Sequence, residues 1–282
     1  MKKIIIFAAL CLSFLTACDK EDLGGSNIPE FDYNALSETD KYIYDHYTVP
    51  YNVEVVYRWN QGDVSSDDMR KNLVPPRESQ VEPFLEMIEK VWVDTYTAEV
   101  GQQTLRSYIP KQILLVGSAS YNDDGSTTEG TAEGGRQIVL YSVNDFNFEL
   151  EQIQSYAHVM HHEFAHILHQ NVEYDAEFEK ITPSYSSSWM QMNDETARSK
   201  GFITAYASSS ADEDFAEMVS IMLTNSPEDW DNMIENAGNA AAVEALRKKE
   251  AIVVAYMKNN WGVNMKDFQK EVVAAIEAAV RN

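Results

Sequence analysis

The chain has 282 residues, with 22 Lys and Arg against 45 Asp and Glu, a formal charge of −23. That balance argues against nucleic acid as a partner and against electrostatic docking on anionic lipid, and it favours solubility outside the cell. The length suffices for one large domain, or a domain with a small appendage, built around a real hydrophobic core.

Lys2 and Lys3 precede an apolar run from Ile4 to Leu15, which is followed by Thr16, Ala17 and Cys18. The run is too short to span a bilayer comfortably as a permanent helix and reads as an export signal. It resembles a bacterial lipoprotein signal, which implies cleavage before Cys18 and lipid on that cysteine. Residues 1–17 are then the signal, 18–30 a lipidated tether and 31–282 the folded domain. Cys11, the other cysteine, leaves with the signal, so the mature chain has no disulfide and no thiolate ligand. Loss of Lys2 and Lys3 leaves 20 basic against 45 acidic residues, a charge of −25. Lys20-Glu21-Asp22 looks like the short tag that sends some Gram-negative lipoproteins to the outer leaflet, although its composition suits a solvated linker equally well.

Ser37-Glu38-Thr39-Asp40 opens a short helix carrying Tyr42, Ile43 and Tyr47, which Pro50 is expected to end. Asn52 to Trp59 alternates like a strand, and residues 60–79 read as a loop with Pro75 and Pro76. Glu82-Pro83 begins an amphipathic helix with Phe84, Leu85, Ile88, Val91 and Trp92 toward the core. Lys111–Gly117 and Gln137–Tyr141 are apolar strands, expected as a hairpin or at a sheet edge. Residues 121–135 between them form a loop rich in Gly, Thr and acids, a candidate flap or calcium site against the plainer reading of a solvated loop.

Residues 150–170 form the central helix. It contains His162-Glu163-x-x-His166, a spacing that puts two imidazoles one turn apart, able to grip one metal ion. At 100° per residue His158, His162, His166 and His169 fall within an arc of about 80°, while Ile153, Met160, Phe164, Ile167 and Leu168 cluster opposite. From Asn171 to Lys200 the chain is aromatic and polar without period, fit to wall a cleft. Helices follow at Asp212–Leu223, after Ser226-Pro227, at Asn239–Asn259 and at Asn264–Val280. Strands first and helices after is an α+β pattern.

A catalytic zinc needs a third protein ligand and an open position for water, and Glu163 is placed to take the proton of an attacking water as general base. His169 lies on the right face, but residues 162 to 169 span roughly 10 Å of helical rise, too far for one ion. His169, and with it His161 and His158, is therefore expected to orient a ligand or touch substrate. Glu213 and Glu217, one turn apart on the next long helix, are the better candidates, yet Glu213 stands three residues after Ser210, the position of a capping box. On these grounds the two roles balance.

The run His162-Glu-Phe-Ala-His166, then Gly201-Phe-Ile-Thr-Ala-Tyr206, then Glu213-Asp-Phe-Ala-Glu217, resembles the zinc metallopeptidase lipoproteins associated with substrate import in Gram-negative bacteria. Its spacing is also similar to that in the catalytic domain of anthrax lethal factor and in Pro-Pro endopeptidases. The resemblance implies Glu213 as third ligand beside His162 and His166. It implies Tyr206 as the group that steadies the oxyanion and Glu217 as the carboxylate orienting a histidine ligand. It implies one Zn2+ per chain and a zincin-like α+β domain, with a small twisted mixed sheet over the active-site helix and a helical C-terminal part over about 211–282.

Gln137–Tyr141 is the expected sheet edge for an extended substrate. The expected function is zinc-dependent hydrolysis of a peptide or protein substrate at the outer membrane surface of a Gram-negative bacterium, with an outer-membrane import complex as a candidate partner. The rival is a non-catalytic lipoprotein that binds peptide or glycopeptide for such a complex.

Overall fold

The computed structural model describes residues 31–64, 71–122, 127–133 and 136–281. The signal, Cys18 and the tether lie outside them. Two compact units divide the chain, Met1–Leu36 and Ser37–Asn282. Of the first, the described part is a single 3-10 turn, Tyr33–Ala35, whose N-terminus is capped by the Asp32 carboxylate. No helix among the described residues is long and apolar enough to cross a membrane.

The second unit is helix-rich, with one small mixed sheet. Ser37 caps α1 (Glu38–Ile43), as its sequence predicts. The helix then runs through a π stretch, Tyr44–Thr48, and a further turn, Val49–Tyr51, and Asn52 at φ 57° ends it in place of Pro50. Strand β1 is only Glu54–Val56. The next helix, α2 (Glu78–Ile88), starts one turn before Glu82 and takes Pro83 inside it, where the imide forfeits a single backbone hydrogen bond. A second π stretch, Glu89–Val93, joins it to α3 (Asp94–Val100), and α4 (Gln102–Tyr108) follows.

The sheet corrects the expected hairpin. Strands β2 (Gln112–Leu115), β3 (Ser120–Tyr121), β4 (Thr127–Thr128), β5 (Gly130–Glu133) and β6 (Gln137–Leu140) come in succession, and the main sheet has the order β1-β2-β6-β5. β2 lies parallel to both β1 and β6, with Ile113 opposite Ile138. Parallel strands are covered on both faces, which is why these two read as unbroken apolar runs. Ile113, Leu115, Ile138 and Leu140 enter the main core, whereas Leu114, Val116, Val139 and Tyr141 close a smaller cluster with Val64 on the other face.

The stretch 121–135 supplies strands as well as loop: β3 and β4 pair as a small hairpin, and β5 runs antiparallel to β6. The edge beside the active-site helix is therefore β5, and β6, the expected edge, lies inside the sheet. The Tyr141 N–H donates to the Glu129 carbonyl at 2.9 Å. Bonded positions alternate along an antiparallel pair, so Gly130 and Ala132 aim their own N–H and C=O away from β6, toward the unpaired side. Gly130 is required by a close approach: a Cβ there would stand 2.4 Å from Val159 Cγ1.

The helical remainder comprises α5 (Leu150–Asn171), α6 (Glu177–Ile181), α7 (Asp194–Ser199), α8 (Ala211–Thr224), α9 (Pro227–Glu235), α10 (Ala240–Tyr256) and α11 (Met265–Ala279). The aromatic segment 171–200 thus contains two short helices as well as irregular chain. Ser210, Ser226 and Asn239 cap their helices through side-chain oxygens. Helix α8 packs along α5, and α11 closes the core behind both.

Candidate metal centre

Helix α5 divides as its periodicity requires. Met160, Phe164 and Ile153 are buried in the core, and Phe164 meets Trp92 and Tyr96 edge-on. The opposite face carries His158, His162, His166 and His169 toward α8. Ser210 caps α8 by accepting the Glu213 N–H at 3.2 Å, while the Glu213 carboxylate turns to α5. The capping geometry therefore uses only the backbone of Glu213 and leaves its side chain to the histidines.

Three donor atoms converge. His162 Nε2 and Glu213 Oε2 are 3.0 Å apart, His166 Nε2 and Glu213 Oε2 3.2 Å, and the two imidazole nitrogens 3.1 Å. A tetrahedral zinc with ligands at about 2.0–2.1 Å needs its donors roughly 3.3–3.4 Å apart, so this triangle must open by only a few tenths of an ångström. Two imidazoles and one carboxylate are also an ordinary zinc donor set, and the residues present fit the ion.

A second trio, His158, His162 and Glu217, also has its donor atoms within 4.8 Å of one another, and these are the two such groups among the described residues. Its geometry is that of hydrogen bonding. Glu217 Oε1 is 2.8 Å from His158 Nε2 and 2.8 Å from His162 Nδ1, the latter an ion-pair contact without full hydrogen-bond alignment. Glu217 thus touches the nitrogen of His162 that faces away from Glu213, the arrangement that fixes the orientation and tautomer of a ligating histidine. His166 is held likewise, its Nδ1 2.9 Å from His169 Nε2. His169 in turn packs edge-on against Tyr174 and Phe215.

The electrostatics favour positive charge at this point. Burial works to lower the pKa of His162, yet contacts with Glu213 and Glu217 overcome it and push it up to about 10. Burial likewise works to raise Glu213 and Glu217, but the facing histidines hold both well below the glutamate range. Glu163 lines the same cleft, and burial raises its pKa against the pull of His162 and His166.

The cleft measures about 790 Å³ and is walled by β4, β5, α5, α8, Trp189 and Tyr206. A neighbouring cavity of about 860 Å³ shares Thr127, Gly130, His158, Val159 and Tyr206 with it. Tyr206 is 37% exposed, its ring 5.8 Å from that of His162 and 4.9 Å from that of Trp189.

Tyr206 is delivered by the segment 200–209. Gly201 opens it at φ 85°, where a Cβ would press on Ala245 and Thr182. Lys249, fully buried on α10, donates to the Gly201 carbonyl at 2.8 Å and to Asp214 Oδ2 at 2.5 Å. Tyr185 donates to the same Asp214 oxygen at 3.0 Å, and Asp214 Oδ1 is buried without a hydrogen-bond partner among the described residues. Asp194 Oδ1 accepts the Ala205 N–H at 2.8 Å. These anchors escape sequence reasoning, although a lysine at a core-facing position of α10 is a visible signal.

One expectation is corrected. His161 neither orients a ligand nor meets the cleft: it points into the core, its Nε2–H donating to the Val91 carbonyl at 3.2 Å beside Tyr96 and Phe268. Burial pushes its pKa down to about 3, so it is neutral. Its place follows from the helix, since one residue is a 100° rotation away from His162.

No curated protein matches the chain. A solved structure from Bacteroides caccae ATCC 43185, described as "a putative zinc-binding metallo-peptidase", is similar over 86% of this chain and 95% of that one, at 32% identity and a TM-score of 0.74. The family described as "Putative zinc-binding metallo-peptidase" matches residues 33–266. With its helix-rich α+β fold and a histidine and glutamate cluster fit for a metal, this chain belongs to that family of zinc metallopeptidases.

Proposed function

We propose that the protein is a cell-surface peptidase in which His162, His166 and Glu213 hold one zinc ion and Glu163 is the general base. The observation that carries this reading is the convergence of those three donor atoms within 3.0–3.2 Å, in the cleft that Glu163 also lines. Held there by His162, His166 and Glu213, zinc would supply Lewis acidity, polarising a carbonyl and lowering the pKa of water toward neutrality.

The chain's own residues do the rest. Glu163 accepts a proton from water as the water oxygen bonds to the carbonyl carbon, and passes it to the nitrogen as the C–N bond breaks, leaving a carboxyl group and a free amine. The Tyr206 hydroxyl donates to the oxygen that gains negative charge as the tetrahedral centre forms. Glu217 and His169 keep the two ligand imidazoles in orientation. An extended peptide adds to the unpaired side of β5, taking hydrogen bonds from Gly130 and Ala132, and the cleft on either side of His158 receives its side chains. The lipid expected on Cys18 anchors this activity to the outer membrane.

The test is zinc content and peptide cleavage by the mature protein beside Glu163→Gln. Zinc near one per chain in both, with turnover abolished in the variant, is the expected result. Equal cleavage by both would overturn the role of Glu163, and zinc without cleavage in either would favour the binding lipoprotein of an import complex.

A further inference from the structure

Thr204 stands where two parts of the site meet. Its hydroxyl donates to Glu217 Oε2 at 2.6 Å and accepts the Ala207 N–H at 3.1 Å. Glu217 is 2% exposed, and its other oxygen contacts His158 and His162. Ala207 lies in the 3-10 turn Tyr206–Ser208. One hydroxyl therefore joins the carboxylate behind a metal ligand to the turn that presents Tyr206.

The direction of both bonds is fixed. A carboxylate only accepts, so the hydroxyl proton must point to Glu217, and a lone pair is left for the Ala207 N–H. Only Ser or Thr offers both at this reach. The segment does not depend on this joint for its existence. Lys249 holds Gly201, Asp194 holds Ala205, and the Ser208 hydroxyl closes on the Ala205 carbonyl at 2.7 Å. What Thr204 adds is a reference between the segment and α8.

We propose that Thr204 is a positioning residue that sets the place of Tyr206 relative to His162 by linking the Tyr206 turn to Glu217. The proposal rests on the peptidase reading above, with Tyr206 facing the developing oxyanion. It assigns Thr204 no contact with metal or substrate. An error of about 1 Å in the placement of such a group costs on the order of 100-fold in rate.

The experiment compares Thr204→Val, which keeps the shape and loses the hydroxyl, with Thr204→Ser, which keeps the hydroxyl, each alone and combined with Tyr206→Phe. Four quantities are read: kcat, KM, zinc affinity by chelator competition, and amide hydrogen exchange across residues 204–209. Thr204→Val should lower kcat about 10- to 100-fold with KM and zinc affinity within about threefold, and exchange at Ala207 should quicken. Thr204→Ser should restore most of both. In the Tyr206→Phe background the valine should cost less than about threefold, because the group it misplaces is gone.

Wild-type kcat in Thr204→Val would overturn the proposal, as would an undiminished loss in the Tyr206→Phe background. A loss explained by weaker zinc binding would place the effect on His162 instead and overturn it too. If wild-type protein cleaves nothing, the peptidase reading fails. Exchange at Ala207 still decides the joint: equal protection in Thr204→Val and wild type would overturn it.

Discussion

The two faces of α5 bury histidine in opposite ways. On one, His161 enters a wall of aromatic rings, gives its proton to a single carbonyl and is neutral. On the other, His162 is nearly as deep but meets Glu213 on one ring nitrogen and Glu217 on the other, and the local field favours a cation. Neighbours in sequence with equal burial thus differ in everything that matters for chemistry. Burial alone does not mark a functional histidine; the number of carboxylates around it does, and helical rotation decides which residue receives them.

That contrast can be broken by substitution, and the largest effect belongs to the cleft face. His162→Ala should lose zinc by elemental analysis and lower turnover by at least about 1,000-fold, because two donors do not make a catalytic site. Zinc retained in this variant would mean that His162 is not a ligand, since both candidate groups include it. On the core face, Phe164→Ala should cost about 3–5 kcal/mol of stability, read from denaturant unfolding, while the folded fraction still binds zinc.

A smaller effect is expected one step from the ion. Glu217→Gln should weaken zinc binding about 10- to 100-fold in a chelator competition, since the neutral amide holds His162 Nδ1 less firmly. No change would strip Glu217 of its orienting role. The smallest is His161→Leu, which replaces a neutral ring and one hydrogen bond with apolar volume. Stability should move by no more than about 1 kcal/mol and zinc content not at all. Lost zinc there would end the distinction between the faces.

Much of the site is legible in the sequence because it rests on short-range periodicity. His162 and His166 share a face by spacing alone, and Ser210 announces where α8 begins. The choice of Glu213 over a capping role needed the family resemblance, and in the structure only the Ser210 half of the box forms, its hydroxyl accepting the Glu213 N–H while the carboxylate faces the histidines.

What depends on long-range pairing is not legible. The apolar runs of β2 and β6 identify strands but not that they lie parallel. Gly130-Thr131-Ala132-Glu133 has neither the β-branched content nor the alternation of a strand, and becomes one only because β6 offers it an edge. The ion pair of Lys249 and Asp214 is invisible for the same reason, since it exists only once α8 and α10 have met.

The carbonyl that receives His161 belongs to Val91, inside the π stretch Glu89–Val93. A π turn carries one residue more than the α-helix around it. Deleting one residue there would restore ordinary pitch and leave the helix beyond nearly in place, but it would close the widened turn that presents the Val91 carbonyl to His161. The residue count of this turn, as well as its residue types, thus sets what His161 meets. Single-residue deletions across 89–93 should therefore lower stability in denaturant unfolding while the folded fraction keeps its zinc by elemental analysis.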